Sequence, residues 1–523
     1  MDSSARAISV WALLWARIEP ARGVSAARRT VGETFMRHFI RAGGFKLRHA
    51  LIGATALCAV PLAALAGDVA PTSDGAQKLS ALFAQYLGKD AASIAVEGDH
   101  YAVTVDFAKL LAPLASEGVS IDIAPLKAKL VQQSDGAWRV AQEAYPPAAV
   151  KTKDGGFSVH VDGYTFDGLF DPALYGFRSA EVKMEKANVG IQTPEADETI
   201  TFGPAHMTGT GAAANGGGFS GDWREEAGQM TMLVNPKKAD GPQPDPVSIK
   251  AGGLSFNVTL DNMRMREALD LWAFLVAHPS RAALAADEDA LKAKLRGLIP
   301  LADKFGEDIA AQNIEVDTPK GPVKLGDFKM RFGADKFPAK GDTEIRFAAG
   351  SIAPPPGIIP QGLSDLVPTA IDIDIKYGGY DYAAAAEEAI SDMHLAGEGP
   401  VISDADRPKI QAKLTGGGPL VFTILPSHIV APQLDLAVEG AFQVLGARPA
   451  GKVTVKARNF DNTFAAIKGA GQQIATPQVI AALTLAKGLG KSGADGSLIW
   501  VAEYGADGAI KVNGLALGKA PAH

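Results

Sequence analysis

The chain has 523 residues, a formal net charge of −7, 47% hydrophobic and 21% charged residues, 57 Gly, 32 Pro and one Cys. These values exclude a disordered, collagen-like or disulfide-stapled chain, and the length allows two or three hydrophobic cores. The acidic balance argues against nucleic acid, or an anionic membrane surface, as the main partner.

Ala50 to Ala66 read ALIGATALCAVPLAALA, an apolar run preceded by Arg37, Arg41, Lys46 and Arg48. A basic flank, an apolar stretch, and small residues at Ala64 and Ala66 before Gly67 form the layout of a secretory signal cleaved after Ala66. Pro61 interrupts the run, which favours removal; an uncleaved N-terminal anchor is the alternative. Export signals open a chain, yet 35 residues precede Met36. Residues 1–35 therefore read as an over-extended start, with Met36 as the true one, or else as a basic amphipathic arm. Cys58 lies inside the signal, and Leu57 before it disfavours lipidation. The expected mature chain of 457 residues has no cysteine and carries 42 Lys+Arg against 55 Asp+Glu, a net charge of −13. Disulfides, thiolate nucleophiles and Cys-held metals are excluded from such a chain, and its address is periplasmic or exported.

After a helix near Ala76 to Leu87, strict alternation of apolar and polar residues predicts half-buried antiparallel strands. Ile94 and Val96 turn at Gly98-Asp99 into Tyr101, Val103, Val105 and Phe107, a hairpin signal, and Phe157, Val159 and Val161 repeat the pattern. Further strands are predicted at Leu254–Leu260, Ile371–Tyr377, Leu434–Val438 and Val453–Val455. A doubly wound parallel sheet would show continuous apolar runs instead. Amphipathic helices are interspersed. Met265, Leu269, Trp272 and Val276 lie on one helical face closed by Pro279, Leu291, Leu295 and Leu298 on another, and Thr476-Pro477 caps a third that Gly488 and Gly490 stop. The fold class expected is α+β and β-dominated, with long, curved antiparallel sheets.

The stretch LSFNVTLDNMRMREALDLW leads through helices to the hairpin NIEVDTPKGPVKLGDFKMRF; GKVTVKARNFDNTFAAIKG leads likewise to SLIWVAEYGADGAIKVNGLAL. Asp261-Asn262 and Asp461-Asn462 are equivalent helix-cap candidates in these stretches. An internal duplication and coincidence both account for the match. Breaks in composition fall at Gly209–Gly221, Pro236–Pro246 and Pro354–Gly357. The division expected is 1–66 for the extension and signal, 67–241 for a β-rich domain and 242–523 for a sheet and helix domain, of two related halves if the duplication is real.

Catalytic signatures are missing. GTGAAA at Gly209–Ala214 matches a dinucleotide fingerprint in letters, but the glycines after it would break the helix that the motif needs, so a flexible surface loop is expected. GLGKSG at Gly488–Gly493 lacks the first glycine of a phosphate loop and follows a helix. No HExxH or G-x-S-x-G occurs. His160 and Asp162 read as a surface pair, and Asp372 and Asp374 as the wet face of a strand rather than an acid and base. No catalytic residue, cofactor site or metal site is expected.

The C-terminal stretch from GKVTVKARNFDNTFAAIKG to DGSLIWVAEYGADGAIKVNGLALGKAP, with turns at Asp495-Gly496, Asp507-Gly508 and Asn513-Gly514, resembles alphaproteobacterial exported domain-of-unknown-function proteins. It is more distantly similar to the AsmA-like and YdgA-like groups, over about the last 75 residues. The resemblance implies a non-enzymatic envelope protein; in the AsmA-like case, it implies a long curved sheet whose concave apolar face accommodates lipid chains. Three functions are expected in turn: binding or transfer of an apolar ligand, a lipid, or support of envelope maintenance, with envelope proteins as further partners; a structural or interaction protein with a sealed core and no small-molecule ligand; and a hydrolase. Leu269, Trp272 and Val276 are the candidate apolar-ligand residues, with core packing of the same stripe as the alternative.

Overall fold

The computed structural model describes residues 70–519, apart from 112–117, 239–240, 338, 340, 361, 398, 417, 446–447 and 472–473. The stretch expected to be a signal, with Met36, Cys58, Ala64, Ala66 and Gly67, lies outside the described residues. The fold is β-dominated and antiparallel, with helices interspersed. It divides into two compact units: the first holds residues up to Pro246, Asp261–Leu298 and Met393–Ser403, and the second holds Val247–Leu260, Ile299–Asp392 and Asp404–His523.

Helix α1 (Ser73–Leu87) opens the first unit. The Gly75 N–H donates to the side chain of its cap Thr72 at 3.0 Å, and Leu79, Phe83 and Leu87 are buried. Two ladders follow. One pairs β1 (Ala92–Glu97), β2 (His100–Val105), β4 (Leu126–Gln132), β5 (Trp138–Gln142), β8 (Thr165–Asp171), β9 (Gly176–Met184), β12 (Ala205–Ala213) and β13 (Phe219–Ala227). The other pairs β3 (Ser120–Ile123), β6 (Ala148–Thr152), β7 (Gly155–Asp162), β10 (Lys186–Gln192), β11 (Ala196–Phe202) and β14 (Met230–Pro236). Helix α2 (Phe107–Leu111) precedes β3, so Phe107 opens a helix and does not extend β2 as its alternation suggests; the Asp106 carboxylate accepts from the Ala108 N–H and ends the strand there. The chain shuttles between ladders one hairpin at a time. Each ladder buries one face, with Leu130, Trp138 and Phe170 sealed in the first and Val189 and Ile200 in the second, so the unit encloses a filled core.

Gly209 and Gly211 lie on β12, so the glycine-rich stretch is a strand and not the flexible loop expected from its composition. Its glycines make room for rings: a Cβ at Gly209 would overlap Trp223, and one at Gly211 would overlap Phe219 and the Phe177 carbonyl. Asp261 and Asn262 do not cap a helix either. The Ser220 hydroxyl and the Gly218 N–H donate to their side chains at 2.8 and 3.0 Å, which fastens the β12–β13 turn. Helices α3 (Met265–Ala277), α4 (Arg281–Ala286) and α5 (Glu288–Gly297) complete the unit. They pack Leu284 and Leu291 against Met393 and Leu395.

The second unit is built on a single ladder. β15 (Val247–Ala251) pairs with β17 (Ala302–Val316), and then follow β18 (Val323–Phe337), β19 (Thr343–Gly350), β20 (Ala370–Gly378), β21 (Leu420–Ala431), β22 (Leu434–Leu445), β23 (Arg448–Arg458), β25 (Leu498–Tyr504), β26 (Ala509–Val512) and β27 (Leu515–Lys519). β16 (Gly253–Met263) precedes α3, and the short β24 (Lys491–Ser492) pairs with β25. Helices α6 (Tyr382–Ser391) and α7 (Arg407–Leu414) connect β20 to β21; α8 (Phe460–Gly469) and α9 (Pro477–Leu489) connect β23 to β25. α8 is capped by Asn459, in the left-handed conformation, which leaves Asp461 inside the first turn, paired with Lys487 at 2.7 Å. Strand, helices and hairpin therefore occur in that order three times, after β16, β20 and β23.

Since Gly211 has no room for a side chain, Gly211→Ala is expected to lower stability by about 1–3 kcal/mol through overpacking. The check is urea unfolding, in which the midpoint should fall while the slope stays unchanged.

Candidate functional site

Side chains of a strand leave alternate faces, and register decides which of them share a face with the neighbouring strand. From β17 to β25 the antiparallel register puts apolar residues opposite apolar residues. Ile309, Met330, Phe347 and Ile373 form one cross-strand row. Phe332, Ile345, Ile375, Ile424, Gly440 and Val453 form the next. Val438, Val455 and Trp500 continue the face toward its far edge. A one-residue bulge between Ile424 and Ser427, where Pro426 supplies no N–H, keeps β21 in phase along its whole length.

The opposite face is charged. The Arg346 guanidinium donates to both oxygens of Asp372, at 2.9 and 2.6 Å, in a fork that holds this carboxyl below its usual range. Lys376 meets Asp342 at 2.6 Å, and Arg458 bridges Asp435 and Asp495 at 3.0 and 3.1 Å. Burial, reinforced by Glu344, pushes the Asp374 carboxyl up, while its backbone N–H donates to Ser427 Oγ at 3.0 Å. Asp372 is thus ion-paired, whereas the Asp374 carboxyl has one oxygen buried without a hydrogen-bond partner.

What sets the second unit apart is how little of its apolar face is covered. The large apolar side chains of this face from β18 to β25 are half-buried, and Ile345 is 37% exposed; the first unit instead seals Trp138 and Phe170 completely. The row from Phe332 to Val453 crosses six strands, a span of roughly 24 Å at the usual strand spacing. At one end of β20, Tyr377 meets the ring of Tyr380 at 5.9 Å, and Tyr380 stacks on Tyr382 at 5.6 Å. Near the other edge α9 lies over β25. The Trp500 indole N–H donates to the Ala486 carbonyl at 2.7 Å, and Phe460 packs on Trp500. α6 and α7 pack chiefly on each other.

The residues expected from the helical stripe sit in the first unit. α3 packs on α1, where the Trp272 indole N–H donates to the Tyr86 carbonyl at 2.7 Å, Val276 lies beside Gly88, and Leu269 is half-buried. The structure thus gives Trp272 a helix-to-helix hydrogen bond. Sequence reasoning passed over Phe328, Met330, Phe332, Ile345 and Phe347, although their period of two is present in the letters. His160 and Asp162 form an exposed pair at 2.9 Å. A shallow cavity of about 510 Å³ in the first unit, lined by Ser73, Ala76, Gln77, Ser80, Ile94 and Val96, brings no titratable groups together. Among the described residues no group of His, Cys, Asp or Glu is placed to hold a metal ion, and no helix is long and apolar enough to cross a membrane.

Comparison of the chain with known protein families, with characterised proteins and with solved structures finds no match.

Burial, with the neighbouring Tyr377 and Tyr380, pushes the Tyr382 phenol from 10.0 up to about 12. A raised phenol favours the neutral form in the folded state. Its contribution to stability is therefore complete below pH 10 and is lost as the pH rises toward about 12. Titration by absorbance near the phenolate band is expected to show a late phenol that Tyr382→Phe removes.

Proposed function

We propose that the chain is a non-enzymatic, exported envelope protein that holds or transfers an apolar ligand of the acyl-chain kind on the open apolar face of the second unit. A single observation carries this reading: the face from β18 to β25 is apolar across the ladder yet only half-buried, whereas the core of the first unit is filled. An exposed apolar expanse this broad marks a binding surface, since water makes it costly to leave bare. Each methylene of a bound chain taken out of water contributes about 0.8 kcal/mol. The row from Phe332 to Val453 offers such a chain continuous contact without any hydrogen-bonding demand, as suits a ligand with no polar groups along its length. Two further features favour this reading over a hydrolase. Asp372 and Asp435 of the ladder are engaged in ion pairs on the other face, and the C-terminal stretch resembles envelope families that carry no catalytic motif.

Two experiments test the proposal. Lipid extraction and mass spectrometry of protein purified without detergent should recover a lipid, and the protein should take up a fluorescent fatty acid from solution. Phe347→Asp and Ile373→Asp, each placing a charge in the apolar row, should weaken uptake by at least about tenfold. Asp372→Asn, on the charged face, should leave it within about twofold. A lipid-free preparation that takes up neither fatty acid nor labelled phospholipid overturns the proposal.

A further inference from the structure

A surface helix ordinarily turns charged residues away from its sheet. α9 does not. Ile480, Leu483 and Ala486 face the sheet side, where Trp500 is bound to the Ala486 carbonyl, whereas Gln478, Ala481, Ala482, Thr484, Leu485 and Gly488 are exposed and uncharged; the one charge of the helix, Lys487, is paired with Asp461 at 2.7 Å. Leu485 is 60% exposed, and Leu515 and Leu517 on β27 are 57% and 48% exposed; these are the three most exposed large apolar side chains among the described residues. The two elements are tied together, since Asn513 in the β26–β27 turn donates from Nδ2 to the Leu489 carbonyl at 2.7 Å, at the end of α9.

Charge indicates the occupant. The whole chain is acidic, yet residues 462–494 contain Lys468, Lys487 and Lys491 and no Asp or Glu. The pairing of Lys487 with Asp461 leaves Lys468 and Lys491 as the exposed cations of the interval. Screening limits an exposed charge to about 8 Å at physiological salt, so what approaches α9 meets this local balance and not the net charge of the chain. An uncharged, apolar helix side flanked by lysines complements a surface that is apolar inside and anionic outside.

We propose that the outer side of α9 and the adjoining β27 dock the second unit on an anionic lipid bilayer. The inference rests on the acyl-chain reading above, for which a bilayer is the place where the ligand is collected or delivered. Leu485 and Leu515 enter the boundary between headgroups and acyl chains, and the lysines face the phosphates.

The test is flotation of the full chain with vesicles of phosphatidylcholine alone and of phosphatidylcholine with an equal part of phosphatidylglycerol. Stronger association with the anionic vesicles, weakened by salt, is expected. The double variant Leu485→Glu/Leu515→Glu should lose at least about tenfold in association at an unchanged melting temperature. Should that variant melt early, Leu485→Gln/Leu517→Gln supplies the same comparison, with a smaller loss expected. The stretch Ala50–Ala66 is common to all variants and cancels in the comparison. The proposal is overturned if the wild type shows no preference for anionic vesicles or if a folded variant floats as well as the wild type. It is equally overturned if the substitutions instead turn a dimer into a monomer, which would make a second copy the occupant. Uptake of soluble fatty acid separates the two readings. Its loss with docking retained would count against the apolar cradle alone, whereas uptake retained without docking would count against the bilayer surface alone.

Discussion

The second unit depends on one constraint: antiparallel strands in register keep every second residue on the same side for the whole width of the sheet. A slip of one residue between β19 and β20 would move Ile371, Ile373 and Ile375 to the face that carries Arg346, and would break the fork between Arg346 and Asp372. The ion pairs on the wet face and the apolar rows on the other thus specify the same register. Each exposed pair contributes little energy, but a mispairing would cost both the pair and the burial on the opposite side. The bulge at Leu425-Pro426 fits the same logic. It absorbs an extra residue without exchanging the faces of β21.

The two units solve the problem of a one-sided sheet differently. In the first, successive hairpins alternate between two ladders, so each ladder has another apolar face within the same unit to enclose, and the aromatic residues Trp138, Phe166, Phe170 and Phe177 fill the interior. In the second, hairpins and helical connections add strands to one ladder, and the helices leave through the connections at the strand ends instead of lying along the face. α9 returns over the sheet at β25, and α8 sets Phe460 on the same Trp500 and touches β22. A continuous apolar face without a second layer follows from that connectivity.

How far the letters disclosed this depended on the range of the interactions involved. Alternation at Ile371–Tyr377 and Leu434–Val438, the Thr476 cap and the Asp-Gly turns were legible because each depends on neighbours in sequence. Gly209 and Gly211 were not, since their purpose is to admit the rings of Trp223 and Phe219 from the paired strand, and composition alone suggests a loop. Asp261 and Asn262 were misplaced for a related reason. Their short side chains suit a helix cap, but a turn 40-odd positions earlier in the chain takes their oxygens first. The stripe of Leu269, Trp272 and Val276 was visible as an apolar face; which element it meets, α1, was not. Whether an apolar face is covered is a property of connectivity, and no local pattern of Phe332, Ile345 or Phe347 encodes it.

The same distinction between local and global applies to charge. A net charge of −7 describes the average surface, but a docking surface responds only to charges within a screening length of it. The acid-free interval from 462 to 494 coincides with the helix whose outer side is uncharged, and that helix also covers the edge of the apolar face through Trp500. A surface that meets a bilayer and an apolar face that holds an acyl chain would then be adjacent parts of one ladder. A chain passing between them would cross Trp500, Val455 and Val438 without meeting a charged side chain on that face. This continuity matters more than affinity at either place, because an acyl chain exposed to water on the way would forfeit about 0.8 kcal/mol for each methylene uncovered.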